Sequence, residues 1–210
     1  LTKLLRLQQI VGGFFVPDAD CEFVEQPNGI LLDAYEAKHV TPQPIDKVNP
    51  RVESLIELLE ETDGKVIIWA RFRAEIAQVV NRINETFCSQ SGHGCVVEYH
   101  GGIANDTRAD NIRRFQNEDS CRFFVGHVQA GGKGLTLHAA TTVVYYSNDF
   151  SLDNRLQSED RAHRIGQKHN VTYVDMIATG TLDEKIVSAL RNKKDIADLI
   201  TGDERMEEWI

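Results

Sequence analysis

The stretch from Asn154 to Gln167 carries the side chains of this sequence that are best suited to chemistry. Gln157, Arg161 and Arg164 stand at positions i, i+4 and i+7, so that on a helix they form one stripe. An amphipathic helix normally places Leu, Ile or Val on such a stripe, but the only apolar side chains here are Leu156, Ala162 and Ile165. Because arginine recognises phosphate oxygens in pairs, this spacing suits a triphosphate or a nucleic-acid backbone.

A structural role is the alternative for these arginines. Glu159 and Asp160 stand in the same stretch, and on a solvated helix they would pair with Arg161 and Arg164. Surface ion pairs of this kind need no ligand and contribute little to stability. The spacing alone therefore leaves both interpretations open.

A glycine-rich segment, from Gly126 to Gly134, is the second candidate for chemistry. Gly131, Gly132 and Gly134 allow a ligand to approach the backbone closely and leave amides free to donate. The segment is not a phosphate-binding Walker loop, because Lys133 stands one place late and Gly134 replaces the hydroxyl residue. It therefore does not form an ATP site by itself. The alternative is a structural glycine turn that packs tightly on a sheet.

The four cysteines are possible metal ligands. They show no C-x-x-C spacing and, in a cytosolic protein, are expected to be free thiols: Cys21, Cys88, Cys95 and Cys121. Cys88, His93 and Cys95 form one cluster with ligand-type side chains, but the sequence shows no fourth ligand beside them. No metal site is predicted.

Short apolar runs that alternate with helical patterns indicate the elements that position these residues. The runs are Lys65–Ala70, Val96–Tyr99, Arg122–Val125, Thr142–Tyr146 and Val171–Ala178. Such alternation predicts an α/β domain with a doubly wound, mostly parallel sheet and helices on both faces. Ligands of such sheets lie beyond the carboxyl ends of the strands, which is where the sequence places Arg71, His100–Gly102, Ala130–Thr136 and Asn148–Asp149.

Three regions are predicted along the chain. Residues 1–48 contain an entry helix at Leu1–Ile10, a small hairpin around Pro27–Gly29 and a Pro-containing connector. Residues 49–180 form the α/β lobe. Residues 181–210 form a helical extension that packs on the lobe and opens with a capping box at Thr181–Glu184.

Composition restricts the classes of protein and partner. The chain has 210 residues, a net charge of -9 and a sequence pI near 5.3, so any contact with DNA must be local. The sequence has neither an apolar run of membrane-spanning length nor a signal peptide at its first residues, which predicts a cytoplasmic or nucleoid setting. The first residue is Leu1 rather than Met, so we expect a piece of a longer protein.

The string QSEDRAHRIGQ at Gln157–Gln167 resembles the last helicase motif of superfamily-two ATPases, in the form used by Swi/Snf-type DNA translocases. The segment AGGKGLTL at Ala130–Leu137 resembles the preceding motif of that family. From about Asn49 to about Leu190 the chain is similar to the second RecA-like lobe, and Leu4–Phe14 resembles the helix that leads into it. The lack of large insertions favours a prokaryotic or phage form.

The resemblance implies roles for individual residues. It implies that Arg161 and Arg164 are arginine fingers, which stabilise charge on the transferred phosphoryl group. It places Gln157, Gly131, Gly132 and Gly134 at the nucleotide, and it implies contacts to the DNA backbone by Arg71, His100, Gly101, Arg108, Lys133 and Thr136. ATP and Mg²⁺ would be bound mainly by the first RecA-like lobe, whose Walker motif this sequence lacks.

The sequence also departs from the common pattern of the family. His127-Val128-Gln129 stands where Ser-Thr-Arg is usual, Lys133 stands where an apolar residue is usual, and Phe150-Ser151-Leu152 replaces Trp-Asn-Pro.

The sequence thus predicts the second motor lobe of an ATP-dependent DNA translocase, inactive as an ATPase alone, with the first lobe and duplex DNA as partners. The alternative is a regulatory module that binds nucleic acid or protein and retains the lobe fold without catalysis. A Rossmann-type enzyme is a third possibility, but no G-x-G-x-x-G follows a strand.

Overall fold

The computed structural model describes residues 2–16, 24–25, 31–32, 41–88, 94–131, 135–162, 167 and 169–192. The chain divides into two compact units, residues 1–51 and residues 52–210. None of the helices among the described residues combines the length and the apolar character that a membrane span requires.

The described residues of the first unit form one helix and two short strand pairs. Helix α1 spans Thr2–Val11, strand β1 (Phe14–Phe15) pairs antiparallel with β4 (Gln43–Pro44), and β2 (Val24–Glu25) pairs antiparallel with β3 (Leu31–Leu32). The turn after α1 uses Gly13 at φ 82°, a conformation that favours glycine. The Asn49 side chain lies against the α-carbon of Gly13 and donates to the Gly12 carbonyl at 2.8 Å, so a larger residue at position 13 would collide with it.

The second unit is built on a five-stranded sheet. Helix α2 (Pro50–Glu60) leads into it, and the remaining elements in chain order are β5 (Lys65–Trp69), α3 (Arg73–Ile83), a π-helical turn (Asn84–Cys88), β6 (Val96–Tyr99), α4 (Asn105–Asn117), β7 (Phe123–Gly126), a 3-10 turn (Val128–Gly131), β8 (Ala140–Tyr145), α5 (Leu152–Ala162), β9 (Thr172–Asp175) and α6 (Leu182–Arg191). The strand order is β6-β7-β5-β8-β9, and every pairing is parallel. The predicted fold class is confirmed.

Two apolar clusters cover the two faces of this sheet. Strand β5 contributes Val66 and Ile68 to one cluster and Ile67 and Trp69 to the other, as the alternation of side chains along a strand requires. The first cluster buries the apolar faces of α2 and α3, and the second contains Phe115 of α4 and Ala162 of α5. Burial on both faces explains why the central strands are continuously apolar.

Two cations satisfy carbonyl groups where helices end. Arg122, just before β7, donates to the carbonyls of Leu59 and Gly64, each at 3.0 Å, and to that of Thr62. Lys65 donates to the carbonyl of Phe115, in the last turn of α4, and to the carbonyl of Glu118, just after α4, at 2.8 Å. Burial lowers the pKa of Lys65 below its usual range, although nearby acidic groups favour the charged form. Cations suit these positions because the last carbonyls of a helix have no partner within the helix.

The expectation of free thiols is wrong for two of the cysteines. Cys88 and Cys95 form a disulfide with their Cα atoms 5.4 Å apart, whereas Cys121 is a free, buried thiol. The two cysteines are 7 residues apart, one at the end of the π-helical turn and the other just before β6, so they pair without a C-x-x-C spacing. Their sulfur atoms are therefore not available as metal ligands, and His93 lies outside the described residues.

Thr181 caps α6, but not through the predicted capping box. Its hydroxyl accepts from the Asp183 amide at 3.2 Å and donates to the Ala178 carbonyl at 2.7 Å. The Asp183 carboxylate in turn accepts from the Ala178 amide at 3.1 Å. The carboxylate contact at this helix start thus comes from Asp183 and reaches Ala178, three residues before Thr181.

Replacing Arg122 with Ala should lower the free energy of unfolding by about 2 kcal/mol, because carbonyls of three residues lose a charged donor. The matched control is Arg113→Ala, which removes an exposed guanidinium paired with Asp110 and should cost less than about 0.5 kcal/mol. Urea unfolding of both variants measures the difference. Equal losses would contradict the capping role of Arg122.

Reducing the disulfide should also destabilise the second unit. Cys88 and Cys95 are 7 residues apart. Closing a loop of this length lowers the conformational entropy of the unfolded chain and so raises the free energy of unfolding by about 2 kcal/mol. A reducing agent should therefore lower the melting temperature of the parent chain but not that of a Cys88→Ser/Cys95→Ser variant. An equal response of both proteins would show that the disulfide has no stabilising role.

Candidate functional site

Arg71, His100 and Gly101 follow the ends of two strands at one edge of the sheet. Trp69 of β5 aligns with Gly126 of β7 and with Tyr145 of β8, and the same register continues to Tyr99 of β6 and Asp175 of β9. All five strands thus end at the same level, and the segments that follow them share what we call the carboxyl edge. This edge is where ligands bind in open parallel sheets.

Arg71 follows β5 at the carboxyl edge and is held by protein groups. Its Nη1 atom lies 3.1 Å from Oδ1 of Asp149, and the two side chains are only 14% and 17% exposed. The guanidinium also faces the rings of Phe150, at 4.7 Å, and Phe72, at 5.4 Å. The side chain is therefore fixed in place, with one edge of its guanidinium directed at a carboxylate.

Asp149 joins four parts of the carboxyl edge. Besides Arg71, its carboxylate accepts from the Gln129 amide side chain at 3.0 Å, from Asn154 Nδ2 at 2.5 Å and from the Phe150 backbone amide at 2.6 Å. Burial alone would raise the pKa of Asp149, but the charge of Arg71 and these hydrogen bonds hold the pKa below its usual range. We call this arrangement the Asp149 network. It connects the segments after β5, β7 and β8 with the start of α5.

A second buried carboxylate supports the same region. Glu75 of α3 is fully buried, and its Oε2 atom accepts from the backbone amides of Arg71, at 3.2 Å, and Phe72, at 3.1 Å. The same oxygen accepts from the Ser147 hydroxyl at 2.5 Å, and Ser147 Oγ also accepts from the Arg71 amide at 2.8 Å. The backbone that carries Arg71 is thereby tied to the segment after β8.

His100 and Gly101 follow β6. His100 Nδ1 accepts from the Gly102 amide at 3.1 Å, and its Nε2 atom lies 3.6 Å from a carboxylate oxygen of Glu98. Gly101 is exposed, and no described atom lies within 4 Å of the position that a Cβ would take there. Arg108 of α4 packs over the ring of Tyr99 at 5.6 Å. His100 and Gly101 thus form the turn after β6, and Arg108 packs on the last residue of that strand. The hydrogen bond of His100 to Gly102 stabilises the turn.

The glycine-rich segment is described at its two flanks. Gly131 ends the 3-10 turn, whereas Gly132, Lys133 and Gly134 lie outside the described residues. Beyond the gap, the Thr136 carbonyl accepts from Gln116 Nε2 at 2.7 Å. Three further contacts hold the same exit: the Ala139 amide donates to Gln116 Oε1 at 3.0 Å, the Leu137 amide donates to the Arg161 carbonyl at 3.0 Å, and Gln167 Nε2 donates to the Ala140 carbonyl at 2.8 Å.

Helix α5 places Gln157 and Arg161 in different environments. Gln157 is exposed, but Arg161 is only 6% exposed, and its guanidinium lies 5.5 Å from the centre of the Trp69 ring. The structural alternative required Arg161 to lie on a solvated face and to pair with Glu159 or Asp160. Arg161 is instead buried, and Glu159 pairs with Arg155. Arg164 lies outside the described residues, so its place relative to Arg161 is not described.

Arg155 is an important residue that the sequence analysis missed. Its guanidinium contacts Asp175 Oδ1 at 2.5 Å, Asn148 Oδ1 at 2.9 Å and Glu159 Oε1 at 2.6 Å, and it stacks 3.6 Å from the centre of the Tyr145 ring. Burial alone would lower the pKa of Arg155, but these acidic partners raise it. Asp175 lies on β9, 20 residues after Arg155, so the spacing of residues within α5 could not have indicated the ion pair of Arg155 and Asp175.

Comparison with known proteins adds the family. A family model described as the helicase conserved C-terminal domain matches residues 50–166. The chain is 37% identical over 152 residues to the chromatin-remodeling ATPase INO80 of Cryptococcus neoformans var. neoformans serotype D (strain B-3501A). The aligned residues make up 72% of this chain and 8% of that protein. A Drosophila melanogaster homolog of the SWI/SNF-related regulator of chromatin subfamily A containing DEAD/H box 1 is 31% identical over 159 residues, or 74% of this chain and 18% of its own length. The chain thus spans less than a fifth of either relative.

Solved structures show the same relationship. The Sulfolobus solfataricus SWI2/SNF2 ATPase core domain matches with a TM-score of 0.53 and 32% identity, over 73% of this chain and 30% of that chain. The Sulfolobus solfataricus SWI2/SNF2 ATPase core in complex with dsDNA matches with a TM-score of 0.62 and 25% identity, over 99% of this chain and 40% of that chain. The prokaryotic or phage origin stays an expectation, since the matches include both fungal and archaeal proteins. The chain belongs to the helicase conserved C-terminal domain family and is the C-terminal lobe of a SWI2/SNF2-type helicase.

Proposed function

We propose that this chain is the second motor lobe of an ATP-dependent DNA translocase and supplies arginine side chains to a nucleotide that another lobe holds. The observation that carries the proposal is the Asp149 network, because it joins the segment of Arg71 to Gln129 of the glycine-rich segment and to the helix of Arg161. Similar proteins support it, since one is named a chromatin-remodeling ATPase and another is an ATPase core solved with dsDNA.

The DNA-binding part of the proposal relies on the carboxyl edge. Gly101 is exposed in open space, so a backbone phosphate has room to approach it. Arg71 directs one nitrogen at Asp149, and in the proposal its other N–H groups bind a phosphate. The remaining proposed contacts are His100, Arg108, Lys133 and Thr136; of these, Thr136 lies beside the end of α4, before β8, and not at the carboxyl edge. Contacts to phosphates carry no sequence information, which suits a protein that moves along any DNA.

The nucleotide-binding part of the proposal falls to α5 and the glycine-rich segment. Gln157 is exposed in the middle of α5, and Arg161 anchors the last turn of that helix on Trp69. Arg164 follows three residues later in the sequence, and we assign the finger role to both arginines. ATP supplies the phosphoryl group whose hydrolysis drives such motors, and a guanidinium stabilises negative charge during its transfer.

The residues of this chain fit part of a nucleotide site but not a complete one. No group of three or more His, Cys, Asp or Glu side chains among the described residues could hold a metal ion. The sequence also has no G-x-x-x-x-G-K-[ST] segment to cradle phosphates. We therefore assign Mg²⁺ and most phosphate contacts to a first RecA-like lobe of the same protein.

The chain alone should not hydrolyse ATP, because the proposed arginines act on a nucleotide that the other lobe holds. The measurement is phosphate release by the purified chain with and without duplex DNA, beside the protein that contains both lobes. DNA-stimulated hydrolysis by the chain alone, retained after repeated purification, would contradict this division of labour.

In the protein that contains both lobes, Arg164→Ala should lower kcat by about 10³-fold or more while the Kd for ATP changes little. Arg161→Ala should lower kcat and also the melting temperature, because this guanidinium is buried against Trp69. Arg113→Ala, which removes a 71% exposed arginine, is the control and should change neither quantity. Normal turnover by the Arg164 variant would exclude its finger role. A parent protein with both lobes but no turnover would favour a regulatory binding module.

A further inference from the structure

Arg155, near the start of α5, is held by several groups at the carboxyl edge. Its Nη1 atom donates to Asp175 Oδ1 at 2.5 Å and to Asn148 Oδ1 at 2.9 Å. Its Nε atom donates to Glu159 Oε1 at 2.6 Å, and its Cζ atom lies 3.6 Å from the centre of the Tyr145 ring. The guanidinium is thus bound by three side chains and covered by an aromatic ring.

Two partners of Arg155 also bind each other. Asn148 Nδ2 donates to Asp175 Oδ1 at 3.1 Å, so these three side chains form a closed set of contacts between α5, β9 and the segment after β8. The side chains of Arg155 and Asp175 are only 13% and 8% exposed. Asn154, the preceding residue of α5, donates to Asp149. Two consecutive residues of α5 are therefore tied to two consecutive residues after β8.

Net stability does not account for an ion pair at this place. Removing two charges from water costs about as much free energy as their attraction returns, so apolar side chains of similar size would hold a helix on a sheet equally well. A guanidinium and a carboxylate differ from apolar side chains in direction, because their hydrogen bonds form only over a narrow range of orientations. The pair of Arg155 and Asp175 thus supplies a defined orientation of α5 on the sheet.

The orientation of α5 determines where its later residues lie. Arg161 follows Arg155 on the same helix, about 9 Å further along the axis. A side-chain group about 6 Å from the axis moves by about 1 Å when the helix rotates by about 10°. Misplacing a group by about 1 Å can lower the rate of a reaction by about 10²-fold. A small rotation of α5 is therefore enough to reduce catalysis by an arginine that this helix carries.

We propose that Arg155 is a positioning residue for phosphoryl transfer, because its ion pair with Asp175 fixes the rotation of α5 and thereby the places at which Arg161 and Arg164 meet the nucleotide. The inference rests on the proposed function, since it concerns the same two arginines. Arg155 is bound to protein groups and acts through these arginines.

The test removes the ion pair from the protein that contains both lobes. Arg155→Met alone leaves the Asp175 carboxylate buried without its guanidinium and should lower the melting temperature. The paired variant Arg155→Met/Asp175→Leu removes both charges and should regain most of the melting temperature. Its kcat for DNA-stimulated ATP hydrolysis should still be lowered about 10- to 100-fold. The Kd for ATP should change little, because the first lobe binds the nucleotide.

Arg155→Lys is a milder variant. Lysine keeps a charge beside Asp175 but does not offer the rigid fork that bonds to Asp175 and Glu159 together. This variant should melt near the temperature of the parent and lower kcat by a smaller factor than the paired variant. It also decides the case in which the paired variant does not fold. A lowered kcat at unchanged melting temperature and Kd then supports the inference, and a normal kcat overturns it.

The matched control is an ion pair between two other elements of the same unit. Arg82 of α3 binds Glu53 of α2 through an Nε–Oε1 contact and an Nη2–Oε2 contact, each of 2.8 Å. The paired variant Arg82→Met/Glu53→Leu should change neither kcat nor the Kd for ATP, because neither helix carries a residue assigned to the nucleotide.

A combination of variants shows whether Arg155 acts through the two arginines. In the Arg161→Ala/Arg164→Ala background, replacing Arg155 and Asp175 together should lower kcat no further, since no finger is left to misplace. A full further loss of kcat in this background would overturn the positioning role, because Arg155 would then act by another route.

The outcomes separate this inference from the proposed function. If turnover depends on Arg164 but the paired variant of Arg155 and Asp175 has a normal kcat, the positioning role is overturned and the finger role stands. If neither Arg161→Ala nor Arg164→Ala changes turnover, the finger role fails and the inference fails with it.

Discussion

The carboxylate of Asp149 is the group on which the arrangement of the carboxyl edge depends. Removing a charge from water costs several kcal/mol unless partners replace the lost hydration. Here the replacement comes from four donors: the amide of the adjacent Phe150, and side-chain groups of Arg71, Gln129 and Asn154 on three other segments. Because each of these segments supplies a donor, a segment that shifted far would leave the Asp149 carboxylate without one of its hydrogen bonds. The network therefore makes several surface segments behave as one body.

A second network performs the same task beneath α5. Arg155 reaches from this helix to Asp175 on β9 and stacks on Tyr145 of β8, while the Tyr145 hydroxyl bonds to Ser158 at 2.7 Å. The helix is thus held on the sheet by buried polar groups and by Arg161 on Trp69. This explains why the stretch is so poor in apolar residues although the helix is packed. Such contacts are directional, so they specify one orientation of the helix more narrowly than apolar packing would.

The fold could be predicted from the sequence because its signals are local. The apolar runs that became β5 to β9 are short and continuous, and polar or glycine residues such as Arg71 and Gly101 follow the strands directly. Parallel strands end at one edge, so the location of the site followed from the fold class. The contacts within the site could not be predicted in this way. Arg155 and Asp175 are 20 residues apart, and the burial of Arg161 depends on Trp69 from another strand. The disulfide was missed for another reason: two cysteines 7 residues apart give no sign in the sequence of whether their sulfur atoms meet.

The central claim is that α5 and the segment after it present arginines to a nucleotide held by another lobe. The most direct measurement is a structure of the protein that contains both lobes, bound to duplex DNA and to ADP with aluminium fluoride in place of the transferred phosphoryl group. The account predicts that the guanidinium of Arg164 donates to the fluoride group at about 3 Å, with α5 still tied to the sheet through Arg155. A nucleotide contacted by other residues, with Arg164 directed into solvent, would contradict it.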